Sequence, residues 1–531
     1  MLRVVLCQLS MMAVDPDRIG LEPDSFERHL PGLLPRLVPA EDLRRVWTAS
    51  DGAPTCCALQ MVGMLLLQFR YNLSESELYR RCTRDLGFRC ALGLDAEDRP
   101  PSPSSLRRFR KRLFESLGDD YLFQLSLRLA KAEGLIEDAD LQALDSTPTR
   151  CRGAVIDTFN LVAAAIRQVV RQVARCLGRE AKELAQEWQL GRYMSRSVKG
   201  AAGIDWDDES QRNKLLTEEI RDADRLAQQV EQLQAKAKLP DCIDEALRLL
   251  AQVARQDVEE LDDGMFRIAK GTVPGRVISI SDPEARHGRK SRSKVIKGFK
   301  THVIGTLDSQ FVTGIAITDA ATHDAQPTPE LVGQAAASDL KPSEAVGDNA
   351  YGTGANLRAC EQDGVQLHTK PGRPASRGAL SKRDFDIDLE AMTVTCPAGQ
   401  TTDHCTLIKG TDGSDARVPL FHFPKDTCQQ CPLKDSCCSA TAKGGHRTVP
   451  LSSYEHELQK NRDFSRTDRG QEVLRNRSAV ERLIAHLVRM GMRHARFFGM
   501  KMTQMQAYMI AAAYNLQRAM TLLVARAAAS T

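Results

Sequence analysis

Between residues 298 and 371, strand-forming and helix-forming patterns alternate, and few folds accommodate that order. Residues 298–318 hold two β-rich runs on either side of Asp308 and Ser309, which is typical of a hairpin. Further patterns predict a helix at 328–338, a strand at 344–348, a helix at 353–364 and a strand at 365–371. This order predicts an α/β core with a mixed sheet.

Two more strand patterns and three helical regions surround this segment. The run "ADLQALD" predicts a strand that ends at Asp145, because Ser-Thr-Pro follows it, and "RVISISD" predicts a strand at 276–282. Helices are predicted within 55–130, throughout 155–262 and at 471–498. The helical residues 155–262 separate the first strand from the others, so we interpret them as an insertion.

Three acids lie where this arrangement brings them together. Asp145 and Asp348 each end a predicted strand, and Glu481 lies on the late helix. If the two strands are neighbours and the helix packs across them, the carboxylates form one cluster. Oxygen ligands of this kind suit Mg²⁺, and two such ions can clamp an in-line displacement at phosphorus.

Each acid also has a plainer interpretation. Asp145 before Ser-Thr-Pro is a potential turn cap, Asp348 a potential Asx turn, and Glu481 a potential partner of a nearby arginine, Arg477 or Arg482. The competing acids for the cluster are Asp282, Asp319 and Asp324.

The amino-acid sequence around these acids resembles that of the DDE transposases of bacterial insertion sequences. "LDSTPT", "GDNAYG" and "RNRSAVERLIAHLVR" are similar to the three catalytic blocks of that family. The segment from "SESELYRRC" to "LRRFRKRL" resembles its helical N-terminal domain, and "SDPEARHGRKSRSKVIKGFKTHVIGT" resembles its segment before the hairpin. The resemblance implies an RNase H-like fold in which Asp145, Asp348 and Glu481 bind two Mg²⁺ or Mn²⁺ ions.

The third block departs from the family pattern at two positions. Many relatives have a tyrosine and a lysine there, and this chain has Leu474 and Val488, with Arg489 next to the latter. Arg477 and Glu481 keep the family's arginine–glutamate spacing. The departures concern the DNA contacts of the tyrosine and the lysine and leave the metal ligand in place.

With the resemblance, we predict the following organisation. Residues 1–135 form a helical N-terminal DNA-binding domain, 136–154 and 263–380 an RNase H-like core, and 155–262 a helical insertion. Residues 381–445 form a cysteine-rich insertion with a zinc site, and 446–531 form the C-terminal helical part of the core that carries Glu481.

Net charge is only +4, so any nucleic-acid signal lies in local clusters of basic residues. We predict DNA contacts from the following side chains: Arg107, Arg108 and Arg110 on the predicted helix 104–113, Arg286, Arg289, Lys290, Lys297 and Lys300 in the segment before the hairpin, and Arg477 beside Glu481. The alternatives are a solvated charged helix face for the first set and a solvated loop for the second.

Six of the fifteen cysteines lie between residues 396 and 438. Cys428 and Cys431 have the two-residue spacing of a zinc knuckle, and Cys396 and Cys437 complete a set of four thiolates for one structural Zn²⁺. The rival ligands are Cys405, Cys438 and His404, and the alternative is a set of cysteines without a metal.

These features predict a transposase that uses Mg²⁺ or Mn²⁺ to cleave DNA and transfer a strand, and that carries a structural Zn²⁺. Its partners are double-stranded DNA, as element ends and target, and further copies of the chain. The sequence contains no apolar run long enough to predict a transmembrane helix. We therefore expect a cytoplasmic, nucleoid-associated protein. The alternatives are a catalytically decayed or repurposed transposase that binds DNA, and an RNase H-like nuclease without strand transfer.

Overall fold

A computed structural model describes residues 14–46, 57–95, 97–136, 141–195, 197–236, 238–271, 273–289, 294–372, 380–410, 416–438 and 445–530. The helices of the first 262 residues are α1 (Phe26–Leu37), α2 (Ala40–Val46), α3 (Ala58–Arg70), α4 (Glu75–Arg84), α5 (Leu86–Ala91), α6 (Pro103–Leu117), α7 (Tyr121–Ala132), α8 (Thr158–Cys176), α9 (Ala181–Glu187), α10 (Val198–Ala201), α11 (Glu209–Gln234) and α12 (Asp241–Gln256). The later helices are α13 (Thr328–Ala337), α14 (Gly354–Gln362), α15 (Lys425–Gln429), α16 (Lys434–Cys437), α17 (Glu455–Arg466), α18 (Asp468–Asn476), α19 (Ala479–Arg489) and α20 (Met500–Ala529).

The strands are β1 (Gln142–Arg150), β2 (Val258–Glu260), β3 (Phe266–Ile268), β4 (Arg286–Arg289), β5 (Val295–Thr306), β6 (Val312–Asp319), β7 (Glu344–Gly347), β8 (Gln366–Thr369), β9 (Asp386–Asp388), β10 (Thr393–Thr395), β11 (Thr401–Thr402), β12 (Cys405–Lys409), β13 (Arg417–His422) and β14 (Thr448–Pro450). Short 3₁₀ turns lie at Gly191–Met194 and Lys382–Asp384.

The central sheet is mixed, as predicted. Its order is β4-β5-β1-β7-β8, and β6 also pairs with β5. β1 is antiparallel to β5 and parallel to β7, and β7 is parallel to β8. The predicted hairpin is β5–β6, and the predicted helices and strands between residues 328 and 371 correspond to α13, β7, α14 and β8. The α/β class with a mixed sheet is therefore confirmed.

The N-terminal helices begin where local signals predict. Ser74 caps α4 by accepting a hydrogen bond from the Glu77 amide at 3.2 Å. Leu106, Phe109 and Leu113 form the buried face of α6, at the predicted helical spacing. α20 packs against α3, α7 and β6, so one continuous buried core joins these helices to the sheet.

Of the smaller buried clusters among the described residues, two belong to distinct stretches of the chain. α8, α11 and α12 form most of a helical unit with its own buried cluster, which agrees with the helical prediction for residues 155–262. The cysteine-rich segment forms the small sheets β9–β10–β11 and β12–β13–β14 over a separate cluster that includes Phe421 and Phe423. None of the described helices combines the length and apolarity that a membrane crossing requires.

The prediction that the first strand ends at Asp145 was wrong. β1 continues to Arg150 and stays paired with β5, with Pro148 opposite Lys300. Along β1, β7 pairs only with Gln142 and Ala143, so no described strand needs an amide hydrogen from Pro148 on that side.

The strand predicted at 276–282 is also absent from this described segment. The side-chain amide of Gln256 makes the hydrogen bonds that a neighbouring strand would make. It donates to the Val277 carbonyl and accepts from the Val277 amide, each at 2.9 Å. Val277 and Ile280 are buried in the cluster of the helical unit, whereas Ile278 is buried in the main core.

The single long helix predicted at 471–498 is divided into α18 and α19, and the second of these ends at Arg489 and not at Phe498. At the division, the amides of Ser478, Val480 and Glu481 bond to carbonyls three residues earlier, which makes a tighter turn. Asn476 and Ser478 are weak helix formers, which favours a break at this point. The break places Glu481 in the first turn of α19.

Candidate active site

Asp145 and Asp348 lie at the same edge of the sheet. β1 pairs with β7 through Gln142–Ala345 and Ala143–Val346, and each aspartate follows two residues after the second pair. Asp145 lies within β1 opposite Val303, whereas Asp348 directly follows the end of β7. The parallel register therefore brings the two predicted carboxylates to neighbouring positions.

Both aspartates also make the local turn contacts that their alternative interpretations predict. Asp348 Oδ1 accepts a hydrogen bond from the Ala350 amide at 2.9 Å, which forms an Asx turn. Asp145 Oδ1 accepts a hydrogen bond from the Ser146 amide at 2.8 Å. These local bonds fix the orientation of each carboxylate at this edge of the sheet.

Glu481 reaches the same region through Arg477. α19 packs on β1 and β5, and Arg477 lies at the turn before it. The guanidinium of Arg477 lies 3.9 Å from Asp145 Oδ2 and 3.5 Å from Glu481 Oε1. One cation thus contacts both carboxylates. The Glu481 side chain is 62% exposed and Asp145 is 20% exposed, so the site opens to solvent on the side of α19.

A buried tyrosine lies beneath the carboxylates. Tyr351 is fully buried, and burial raises the pKa of its hydroxyl well above the usual value. The negative charges of Asp324, Asp145 and Asp348 raise this pKa further, because all three lie near the hydroxyl. Ser146 hydrogen-bonds to the hydroxyl and opposes the shift. Tyr351 therefore remains protonated and can donate a hydrogen bond between the acids.

Lys300 and His302 complete this layer under the site. Lys300 Nζ donates to Asp324 Oδ1 at 2.7 Å, and Asp324 Oδ2 accepts from the Ser146 hydroxyl at 3.1 Å. Burial opposes ionisation of Asp324, but the hydrogen bond and charge of Lys300 outweigh it and lower the pKa of Asp324. Burial lowers the pKa of His302 to about 4, so its imidazole is neutral; Nδ1 lies 3.4 Å from the Tyr351 hydroxyl.

Sequence reasoning did not assign roles to Ser146, His302 or Tyr351. Tyr351 lies within "GDNAYG" and Ser146 within "LDSTPT", so two of the quoted blocks contained them. His302 lies within the quoted segment before the hairpin, but the sequence did not reveal its burial, which depends on where β5 lies in the sheet.

Two other competing acids have structural roles. Asp282 is fully buried and accepts hydrogen bonds from the amides of Gly499, at 3.0 Å, and Gly153, at 3.5 Å. Asp319 accepts a hydrogen bond from the Ala321 amide at 2.7 Å and so closes the loop after β6. Of the competitors, Asp324 alone takes part in the contacts around Tyr351 described above.

The chemistry of these residues suits a divalent metal ion, but their arrangement does not form a complete set of ligands. Carboxylate oxygens are the ligands that Mg²⁺ and Mn²⁺ prefer, and the sheet register brings two of them together. Within the described ranges, no three His, Cys, Asp or Glu side chains form a group that could hold a metal ion. The assignment of metal ligands therefore stays a prediction, supported by the chemistry of the donors.

The predicted DNA contacts of α6 differ in their surroundings. Arg108 is exposed. Arg107 and Arg110 both pair with Glu75, at 2.9 and 3.2 Å, and Arg110 lies over the ring of Phe497. Its side chain is only 12% exposed, so Arg110 fastens α6 to neighbouring elements and presents little of its charge to a ligand.

The basic segment before the hairpin forms strands. Arg289 on β4 and Lys297 on β5 are exposed, so they are available to a DNA backbone. Arg286 donates to two neighbouring backbone carbonyls, and Lys300 is occupied by Asp324 as described above. Lys290 lies outside the described residues.

The four predicted zinc ligands line one cavity, together with Cys438; the four are Cys396, Cys428, Cys431 and Cys437. All five are free thiols and partly buried. Burial raises the pKa of Cys437 to about 11, and the positive charge of Arg447 opposes this shift. The thiols share one site, although the described side chains do not form a group closed tightly enough to hold a metal.

Two stretches of the chain match known protein families. Residues 395–520 match the family described as Transposase DDE domain, and residues 20–112 match the Transposase domain (DUF772) family. The first stretch includes Glu481 and the cysteine cavity, and the second includes the basic face of α6. No curated protein and no solved structure matches the chain. The resemblance identified in the sequence is thereby confirmed.

Proposed function

We propose that this chain, a transposase by both of its family matches, cleaves DNA at the ends of an insertion sequence and joins the freed strand to target DNA. The observation that supports the proposal is the pairing of β1 with β7, which brings Asp145 and Asp348 to neighbouring positions. Arg477 contacts Asp145 and Glu481, while Tyr351 lies within the field of Asp145 and Asp348. We assign catalysis to these three acids on an RNase H-like core.

The DDE transposase family implies a divalent metal cofactor. Asp145, Asp348 and Glu481 would hold Mg²⁺ or Mn²⁺, which would supply activation of the attacking oxygen and stabilisation of the leaving oxygen at phosphorus. Arg477 holds the Asp145 and Glu481 side chains near each other and offsets part of their mutual repulsion. The Tyr351 hydroxyl and the Lys300–Asp324 pair keep the floor of the site polar and ordered.

DNA would approach over exposed basic residues. Arg107, Arg108, Arg289 and Lys297 are exposed cations on α6, β4 and β5, and phosphate contacts from them would position a duplex. We propose that the N-terminal helices bind the element ends and that several copies of the chain act together on DNA. Residues 155–262 and 381–445 are proposed as insertions into the catalytic core.

The proposed reaction is tested with purified full-length protein and duplex DNA that carries the sequences flanking its gene. With Mg²⁺, we expect strand cleavage at the element ends and products in which the freed 3′ end is joined to a second DNA. Removal of divalent ions with a chelator should abolish both. Cleavage without joined products would instead support the nuclease, and specific binding without cleavage would support the repurposed DNA-binding protein.

We further propose that the cysteine cavity holds one structural Zn²⁺. Cys396, Cys428, Cys431 and Cys437 line it, and four thiolates without an open position are typical of a structural site. Soft thiolates and hard carboxylates favour different metals, so Zn²⁺ and Mg²⁺ should remain at their own sites. The raised pKa of Cys437 implies that zinc binding releases protons and weakens as the pH falls.

Metal analysis of protein from a zinc-replete preparation should give about one zinc per chain, as expected for a single four-ligand site. Cys431→Ser should lose this zinc and should lower the unfolding temperature of the cysteine-rich segment. Cys405→Ser is the matched control, because Cys405 is exposed on β12 and does not line the cavity. Zinc-free wild-type protein with the same stability as Cys431→Ser would show that the cavity is merely rich in cysteine.

A further inference from the structure

A strongly basic cleft lies between the end of β8 and the helices α17 and α18. Its volume is about 550 Å³. The cations that line it are Lys370, Arg383, Arg462, Arg466 and Arg475. No acidic side chain of the described chain is among its lining residues. Five positive charges on one concave surface indicate an anionic ligand.

Most of this positive charge is not neutralised within the described chain. Arg462 pairs with Glu455 at 2.9 Å, and Arg466 makes only an exposed contact of 3.6 Å within α17. Lys370 and Arg475 are exposed and make no ion pair with a described residue. These two cations are therefore available to a ligand.

The guanidinium group of Arg383 is repelled by neighbouring positive charges. Burial lowers the pKa of its guanidinium, and the positive charges of Arg462 and Arg466 lower it further. Its Nη2 donates to the backbone carbonyl of Gly372, which fixes the head group at the wall of the cleft. A negatively charged ligand would reduce this repulsion between the arginines. The cleft should therefore bind an anion in preference to holding only water.

The cleft adjoins the carboxylate site along two paths. Gly372 lies against Asn349, the residue after Asp348, since a Cβ at Gly372 would be 3.3 Å from the Asn349 amide nitrogen. Arg475 lies two residues before Arg477, which contacts Asp145 and Glu481. A polyanion that occupied the cleft would therefore continue toward the carboxylates.

We propose that this cleft binds the sugar–phosphate backbone of the DNA strand that enters the carboxylate site, at phosphates next to the one that is cleaved. The inference rests on the proposed function and extends it to a binding surface. Arginine forks bind phosphate oxygens in pairs, and such contacts position a strand without reading its sequence. Leu474, which also lines the cleft, offers one apolar surface to a sugar or a base.

The test compares full-length wild type with the double variant Lys370→Gln, Arg475→Gln. The control is Arg179→Gln, Lys182→Gln, which removes the same two charges from the exposed end of the helical unit. The probe is a duplex of the element end with a 3′ single-stranded extension, without divalent metal, so that binding is measured apart from cleavage. Two lost phosphate contacts should reduce the slope of log affinity against log salt by about 1.4 for a single strand.

We expect the cleft variant to bind this probe at least about tenfold more weakly at low salt, with the reduced slope, and the control to bind like wild type. If the cleft variant binds with the affinity and salt slope of the wild type, the cleft assignment is wrong. If the wild type also cleaves the same DNA when metal is added, the proposed function is unaffected by that result. A wild type that neither binds nor cleaves the probe would overturn the proposed function and this inference together.

Discussion

Asp348→Asn is expected to lower the rate of DNA strand cleavage by about a thousandfold or more, which corresponds to roughly 4 kcal/mol of transition-state stabilisation. The amide keeps the size of the side chain and can still accept the hydrogen bond from the Ala350 amide. It removes the negative charge that a hard divalent ion requires. The fold and the affinity for DNA should therefore remain close to those of wild type.

The control for this variant is Asp363→Asn, which makes the same chemical change at an exposed residue at the end of α14. Cleavage is measured as strand nicking of end DNA in single turnover with saturating Mg²⁺, and binding is measured on the same DNA without metal. If Asp348→Asn cleaves at the wild-type rate, the assignment of the catalytic carboxylates is wrong.

The second large effect is expected in the helical unit of residues 155–262, where Glu219 is fully buried on α11. Neither of its carboxylate oxygens accepts a hydrogen bond from a described residue. Burial raises its pKa from 4.5 to about 8; the Arg192 charge opposes the shift, and Asp157 and Asp222 add to it. At neutral pH the folded protein therefore holds a proton on Glu219 that the unfolded chain has lost.

The sign of the pH dependence follows from this difference. Because the folded state binds more protons than the unfolded state, the contribution of Glu219 is most favourable below pH 4.5 and declines as the pH rises toward 8. Glu219→Gln keeps the neutral shape and removes the titration. At pH 7 the variant should be more stable by about 3 kcal/mol, since each pKa unit corresponds to about 1.4 kcal/mol.

The measurement is the free energy of unfolding from pH 5 to pH 9 for wild type, Glu219→Gln and Glu218→Gln. Glu218 is the matched control, because it is the neighbouring glutamate, is 44% exposed and pairs with Arg192 at 2.8 Å. The gain from Glu219→Gln should be small at pH 5 and should grow with pH. An equal gain at every pH, or a loss of stability at pH 7, would contradict a buried protonated carboxyl.

Much of the local structure could be predicted from the chain because its causes are local. The cap of α4 depends on Ser74 and Glu77, three residues apart, and the β5–β6 hairpin on a turn within one short stretch. The helical spacing of Leu106, Phe109 and Leu113 already specified the buried face of α6. The strand, helix and strand at 344–371 followed from the same kind of pattern.

Two errors in the sequence-based prediction, those at β1 and at residues 276–282, have the same physical origin, which is a partner elsewhere along the chain. β1 passes through Pro148 because β5 continues to pair with it and β7 does not reach that far. In the segment beginning at Arg276, Gln256 makes the two backbone hydrogen bonds of Val277 in place of a neighbouring strand. Local propensity cannot report either fact, since both depend on which elements become neighbours.

In the candidate site, too, some features could be predicted from the sequence and others depend on the tertiary structure. The motifs alone placed Asp145, Asp348 and Glu481 at a strand, a strand end and a helix, because each lies in a recognisable short block. The tertiary structure alone decided that Arg477, which the sequence already placed beside Glu481, also contacts Asp145, and that Asp324 reaches Ser146 across 178 residues of sequence. It also paired Lys300, a predicted DNA contact, with Asp324 at 2.7 Å, because an ammonium group that is only 11% exposed needs a neighbouring carboxylate to offset its lost hydration.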